Sequence, residues 1–165
     1  MKIGMRFAAA VATLALACGS SQAMAACWAP RAVEAAQVRN FETMLMVATL
    51  RCQIKGVDLS GDYNRFIREK RAVLTGINDE LRAKFAAQGL GSKATLDAYD
   101  RYVTSLANGF GTGEGQRSCS EFKALMGVAI DTPASRAALL DLAVRSGSDP
   151  VRGADQCAPR IALAR

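Results

Sequence analysis

Two carboxylate pairs stand at spacings that could bring acid and base together on helices. Glu34 and Glu42 are eight residues apart, and Asp97 and Asp100 are three apart. Paired carboxylates of this kind cleave glycosides when a cleft holds them at a fixed separation. Nothing in the sequence places either pair in a cleft, and exposed helix faces account for them. The 165-residue chain has no histidine. That excludes Ser-His-Asp triads, Cys-His dyads, His-ligated zinc or haem, and imidazole pH switches. Ser118 and Ser120 have no base to activate them and sit where a helix cap explains them.

The other chemical readings fail in their details. Gly109-Phe110-Gly111-Thr112-Gly113-Glu114-Gly115 has four alternating glycines. No Lys-Ser/Thr follows as in a phosphate loop, no strand precedes it, and Glu114 occupies the third glycine position of a dinucleotide motif. An interhelical connection is the reading kept. Met44, Met46 and Met126 are candidate thioether ligands, but Met44 and Met46 point to different sides of a helix, so packing is their expected role. Catalysis is disfavoured, with no catalytic residue, cofactor or metal expected. A Lys- or carboxylate-based enzyme stays open.

Five cysteines remain to be placed. Cys18 falls inside residues 1–25, which read as a secretory signal. Lys2 and Arg6 supply its positive start, Phe7 to Cys18 its apolar run, and Ala23-Met24-Ala25 a small-x-small cleavage site. The apolar run falls short of the roughly 20 residues that span a bilayer. A lipid-attachment site at Cys18 is the rival reading; Ala15 stands where leucine is usual, so cleavage near Ala25 is preferred. Losing Lys2 and Arg6, and no acid, changes the net charge from +6 to +4. The product is expected to be periplasmic or secreted, with no transmembrane span and no nucleic-acid partner.

Cys27, Cys52, Cys119 and Cys157 are left, an even number in an oxidising compartment, which reads as two disulfides. No pair is spaced C-x-x-C, which removes the thioredoxin-like, zinc-knuckle and c-type haem readings. Their pairing depends on the elements that carry them.

Those elements read as helices, with no useful stretch alternating at period two. The first runs from Pro30 to about Lys55, with Val38, Phe41, Leu45, Ala48 and Cys52 on one stripe and Gly56 as its stop. The second runs from near Ser60 to near Gln88 and buries Tyr63, Phe66, Ile67, Leu74, Ile77, Leu81 and Phe85. Ser92 caps the third, whose stripe is Leu96, Tyr99, Val103, Leu106 and Phe110, ending at Asn108-Gly109. Ser118 to Glu121 is a capping box that opens the fourth. Thr132-Pro133 is expected to open the fifth, with Leu139, Leu140, Leu142, Ala143 and Val144 buried. Residues 26–146 thus form an all-α, antiparallel bundle of four to five helices, and 147–165 an irregular tail.

Helix 1 separates Cys27 from Cys52 by about 37 Å, far beyond the reach of a disulfide. Short connections make helices 1, 2 and 3 run up, down and up. The ends of helices 1 and 3 and the start of helix 4 then share a pole. Cys52–Cys119 is the expected bridge, leaving Cys27–Cys157 to tie the tail to the start of helix 1.

Arg65, Arg68, Lys70 and Arg71 make helix 2 locally basic. Attraction of Arg65, Arg68 and Arg71 to anionic envelope material is one reading; a solvated face, diluted by Glu69 and later acids, is preferred. Phe41-Glu42-Thr43-Met44-Leu45-Met46-Val47, Leu50-Arg51-Cys52, Tyr63-Asn64-Arg65-Phe66 and Asp100-Arg101-Tyr102 give the chain a resemblance to a family of small exported, cysteine-containing helical bacterial proteins of unknown function. The resemblance implies export and paired cysteines, and no activity. The leading expectation is a non-catalytic exported protein acting through contacts of helices 1 and 2 with an envelope protein. The alternatives are a periplasmic holdase-type chaperone, and a binder or enzyme acting on anionic envelope material.

Overall fold

The computed structural model describes residues 27–111 and 117–157. Residues 1–26, which include the expected signal segment and Cys18, residues 112–116 of the glycine loop, and residues 158–165 lie outside the described residues. Among the described residues five α-helices follow in order: α1 Pro30–Ile54, α2 Ser60–Ala86, α3 Ser92–Gly111, α4 Cys119–Asp131 and α5 Arg136–Arg145. A 3-10 turn, Gly153–Asp155, lies beyond them. Among the described residues there is no strand, only an isolated bridge between Trp28 and Gln156.

Helix α1 is the axle of the bundle. It packs against α2, α3, α4 and α5, so it is buried on more than the single stripe its spacing predicts. Ala35, Ala36, Val38, Phe41, Leu45, Ala48 and Cys52 are all sealed from solvent. The alanines let neighbouring helices approach closely, and Phe41 meets Phe66 of α2 edge to face, with ring centroids 6.4 Å apart. Pro30 occupies the first turn, where its missing N–H costs nothing. At the other end Gly56 takes φ +80°. There Val57 N–H bonds the Cys52 carbonyl at 2.9 Å and Gly56 N–H that of Gln53 at 3.0 Å. This paired closure requires a left-handed residue, which glycine adopts without a steric penalty.

The short turns at 55–59 and 87–91 give α1, α2 and α3 the expected up-down-up course, and α4 starts where α1 ends. Both bridges form as the topology requires: Cys52–Cys119 with Cα atoms 5.6 Å apart and Cys27–Cys157 with Cα atoms 4.9 Å apart. The returning segment is zipped to the residues just before α1. Trp28 N–H donates to the Asp155 carbonyl at 2.8 Å, and Cys157 N–H donates to that of Trp28 at 2.9 Å. Trp28 itself completes an aromatic cluster with Phe85 of α2 and Tyr102 of α3.

The capping box opening α4 is present: Ser118 Oγ accepts from the Glu121 amide, and Glu121 accepts from the Ser118 amide. Two boundaries and two burials depart from the sequence reading. Helix α5 begins at Arg136 under a Ser135 cap, because Thr132 has already ended α4 and the chain must turn before starting again. Helix α3 runs on to Gly111, its two late glycines tolerated inside the helix. Leu96 and Val144 lie half exposed rather than buried, since α3 and α5 each cover the core from one side only.

Lys70 of α2 is buried and donates to the Ile130 carbonyl at 2.7 Å. It thereby places a cation at the negative end of α4. A second tie is ionic. Arg136 of α5 reaches Glu80 of α2 at 2.7 Å and Glu34 of α1 at 3.1 Å, and Arg31 approaches Glu80 at 2.8 Å. Burial pushes the Glu80 carboxyl up, but the hydrogen bonds and charges of Arg31 and Arg136 outweigh it and hold it below the usual carboxylate range. The stability this supplies is complete above the ordinary carboxylate pKa and is lost as pH falls through the depressed folded value. Wild-type protein is therefore expected to lose more stability between about pH 5 and pH 3 than Glu80→Gln, read by urea unfolding at each pH. Equal losses would show that the network contributes no linkage.

Candidate functional site

Between Glu34 and Arg51, α1 carries only two charged residues, Arg39 and Glu42, one turn apart. Both lie in the packed interior, and they pair with each other. Tyr63 of α2 and Tyr99 and Tyr102 of α3 are within reach of their charges. Burial, joined by the Glu42 charge, pushes the Tyr63 phenol up to about 12 against the opposing pull of Arg39. Burial also raises Tyr99 and Tyr102. The three phenols are thereby held protonated. Tyr99 donates to Asn78 Oδ1 at 3.0 Å. Arg39 Nε and the Tyr102 hydroxyl are buried without partners among the described residues. The ion pair is thus internal to α1, and the Tyr99–Asn78 bond joins α3 to α2.

The carboxylates proposed from sequence as a pair are split. Glu34 belongs to Arg136 and Glu42 to Arg39. Asp97 is held by Lys93 at 2.8 Å on the exposed face of α3, and Asp100 is exposed. Met126 is fully buried and Met44 nearly so. Among the described residues no cluster of three acidic, cysteine or histidine side chains is placed to hold a metal.

A cleft of about 420 Å³ opens where α1, α3 and α4 meet the turn after α5. Phe41, Met44, Phe110 and Phe122 supply apolar wall; Asn40, Arg117 and Ser146 to Ser148 supply the polar side. Gly147, at φ +86°, shapes the turn: its N–H bonds the Val144 carbonyl at 2.9 Å while Ser148 N–H bonds that of Ala143 at 3.0 Å. Ser148 is buried; its hydroxyl accepts from Asn40 Nδ2 at 3.0 Å and donates to the Gln37 carbonyl at 2.6 Å. Arg117 lies across the mouth, with one guanidinium nitrogen 3.7 Å from Met44 Sδ and the other 3.3 Å from the Ser146 carbonyl. Asn40, Arg117 and Ser148 lay unmarked in the sequence, because they come from three separate stretches. The sequence reading placed only the start of an irregular tail at Gly147.

The basic face of α2 is thinner than its sequence suggests. Arg65, Arg68 and Arg71 are exposed, but Arg65 is engaged by Glu69 at 2.7 Å. Lys70 points inward to α4 and takes no part in that face. The corner between α1 and α2 is apolar instead. Ile54 is 87% exposed and Leu50, one turn before it, 55% exposed, with Val57 following in the turn. No described helix is long and apolar enough to cross a membrane. Compared with known proteins, the chain matches no family model, no curated sequence and no solved structure.

Proposed function

We propose that the protein is exported and works without catalysis, by docking an envelope protein on the corner where α1 turns into α2. The observation that carries this reading is the exposure of Leu50 and Ile54 on one helix face beside Val57. An apolar pair left in water at a rigid corner costs solvation that a partner surface recovers. The Gly56 closure and the Cys52–Cys119 bridge fix that corner, so docking loses little conformational freedom. The signal-like residues 1–25 and the two disulfides support export.

A photo-crosslinker installed at Ile54 in the producing cell is expected to capture one reproducible protein, and the same group at Ala72 on the far part of α2 to capture none. Ile54→Glu should abolish the product while leaving the unfolding midpoint within about 0.5 kcal/mol of wild type, as exposed substitutions do. Absence of a position-dependent product would sink the docking reading. Suppression of aggregation of unrelated unfolded clients by the purified protein would favour the holdase reading instead. The exposed Arg68 and Arg71 favour a second reading, contact with anionic envelope material. Its mark is binding to an anionic glycan or lipid that falls with salt and is lost in the Arg65, Arg68 and Arg71 triple alanine variant; salt-insensitive binding would count against it.

A further inference from the structure

We propose that the cleft at the junction of α1, α3, α4 and the turn after α5 binds a small amphiphilic carboxylate, its acyl or aryl part against the phenylalanines and its carboxylate on Arg117. At about 420 Å³ the cleft falls in the size range of small-molecule sites. Its lining is divided as such a ligand is divided. Phe41, Met44, Phe110 and Phe122 supply the apolar lining, and Arg117 and Asn40 add one cation and one amide.

Arg117 sets the charge. Among the described residues no carboxylate is within ion-pair distance of it, and its two contacts are to a thioether sulfur and a single backbone carbonyl. These contacts take one N–H from each terminal nitrogen, so three of the five guanidinium N–H donors remain to meet a carboxylate. Glu121 feels the Arg117 charge but is committed to the Ser118 cap. The remaining polar groups refine the choice. The Ser148 hydroxyl and the Gly147 N–H are spent on internal bonds. Asn40 gives one N–H to Ser148 and keeps an amide oxygen and a second N–H for a ligand. One cation and one amide suit a singly charged head. A phosphate or sulfate ester needs more cationic donors than this mouth provides. A wholly apolar ligand would leave Arg117 desolvated without a partner.

The test uses the oxidised, signal-free protein with methyl-labelled methionine and labelled amides, titrated by NMR with octanoate, octanol and acetate. Octanoate is expected to shift the Met44 methyl and the Ser146 to Ser148 amides at millimolar concentration. Octanol, lacking the charge, and acetate, lacking the chain, should each bind about tenfold more weakly. Arg117→Met, which keeps the bulk of the side chain, should weaken octanoate about tenfold and leave octanol unchanged, while Arg65→Met changes neither. Equal affinity for octanoate and octanol, wild-type octanoate affinity in Arg117→Met, or no shift at these residues up to about 10 mM octanoate would each overturn the proposal.

Discussion

Replacing Arg39 with methionine is expected to destabilise the protein by about 3–5 kcal/mol, because it leaves Glu42 charged in the interior with its partner gone. Only 12% of the Glu42 side chain is exposed, and 15% of that of Arg39. Water therefore supplies little compensation, and the carboxylate must be buried alone or take up a proton. For a chain of this size the melting temperature should fall by about 10 °C or more, measured by calorimetry at neutral pH. The reciprocal loss, Glu42→Leu, is expected to be of the same order. The double variant Arg39→Met with Glu42→Leu removes both charges and should recover most of the stability, since well-packed apolar replacements of buried pairs are neutral or better. Additive losses in the double variant would show that the two side chains act through separate partners. Burial of Tyr63 and Tyr102 around the pair makes the first outcome the expected one.

Removing the Cys52–Cys119 bridge with paired alanines is expected to cost about 4 kcal/mol, from the chain freedom regained by the unfolded state. The bridge spans 67 residues of sequence, and Cys52 is itself sealed in the core, so loss of its buried sulfur adds to the entropic effect. Urea unfolding of the oxidised variant, with Cys27–Cys157 intact, measures it. Hydrogen exchange should place the early opening in α4. Beyond the bridge that helix is held by its packing on α2 and α1 and by Lys70 at its far end. A cost under about 1 kcal/mol would mean that packing alone fixes α4 and that the bridge is dispensable to the fold.

The fold was largely legible because its elements are signalled locally. The 3-4-3-4 apolar steps of α1, the Pro30 start, the Gly56 stop and the Ser118–Glu121 box are all short-range patterns, and each produces the element expected of it. The pairing of the cysteines followed from helix length and turn length, which are rigid quantities. Burial was less legible where it depends on how many neighbours an element has. Leu96 sits on the stripe of α3 yet remains half exposed, while α1 is enclosed by four helices that no single stripe announces. Thr132-Pro133 carries the ordinary signature of a helix start, but the tertiary turn out of α4 delays α5 to Arg136.

The site was legible only in part, for the same reason. Arg39 and Glu42 were findable: two opposite charges one turn apart, alone in a long run of apolar and small residues, are what a buried pair looks like in sequence. The Arg117 cleft was not, since Asn40, Arg117 and Ser148 are brought together by three helices and two turns. Lys70 shows the opposite error. Counted with its arginine neighbours it read as surface charge, yet its helical phase turns it toward the Ile130 carbonyl.

The Cys27–Cys157 link encloses the Cys52–Cys119 link along the chain, and this nesting fixes an order of events. A polypeptide is made from its amino end, so Cys119 emerges well before Cys157. The inner link therefore has both its cysteines before the outer one does. A product that stops before Cys157 would carry an unmatched Cys27 thiol, a chemical tag that sets it apart from copies in which both links can close.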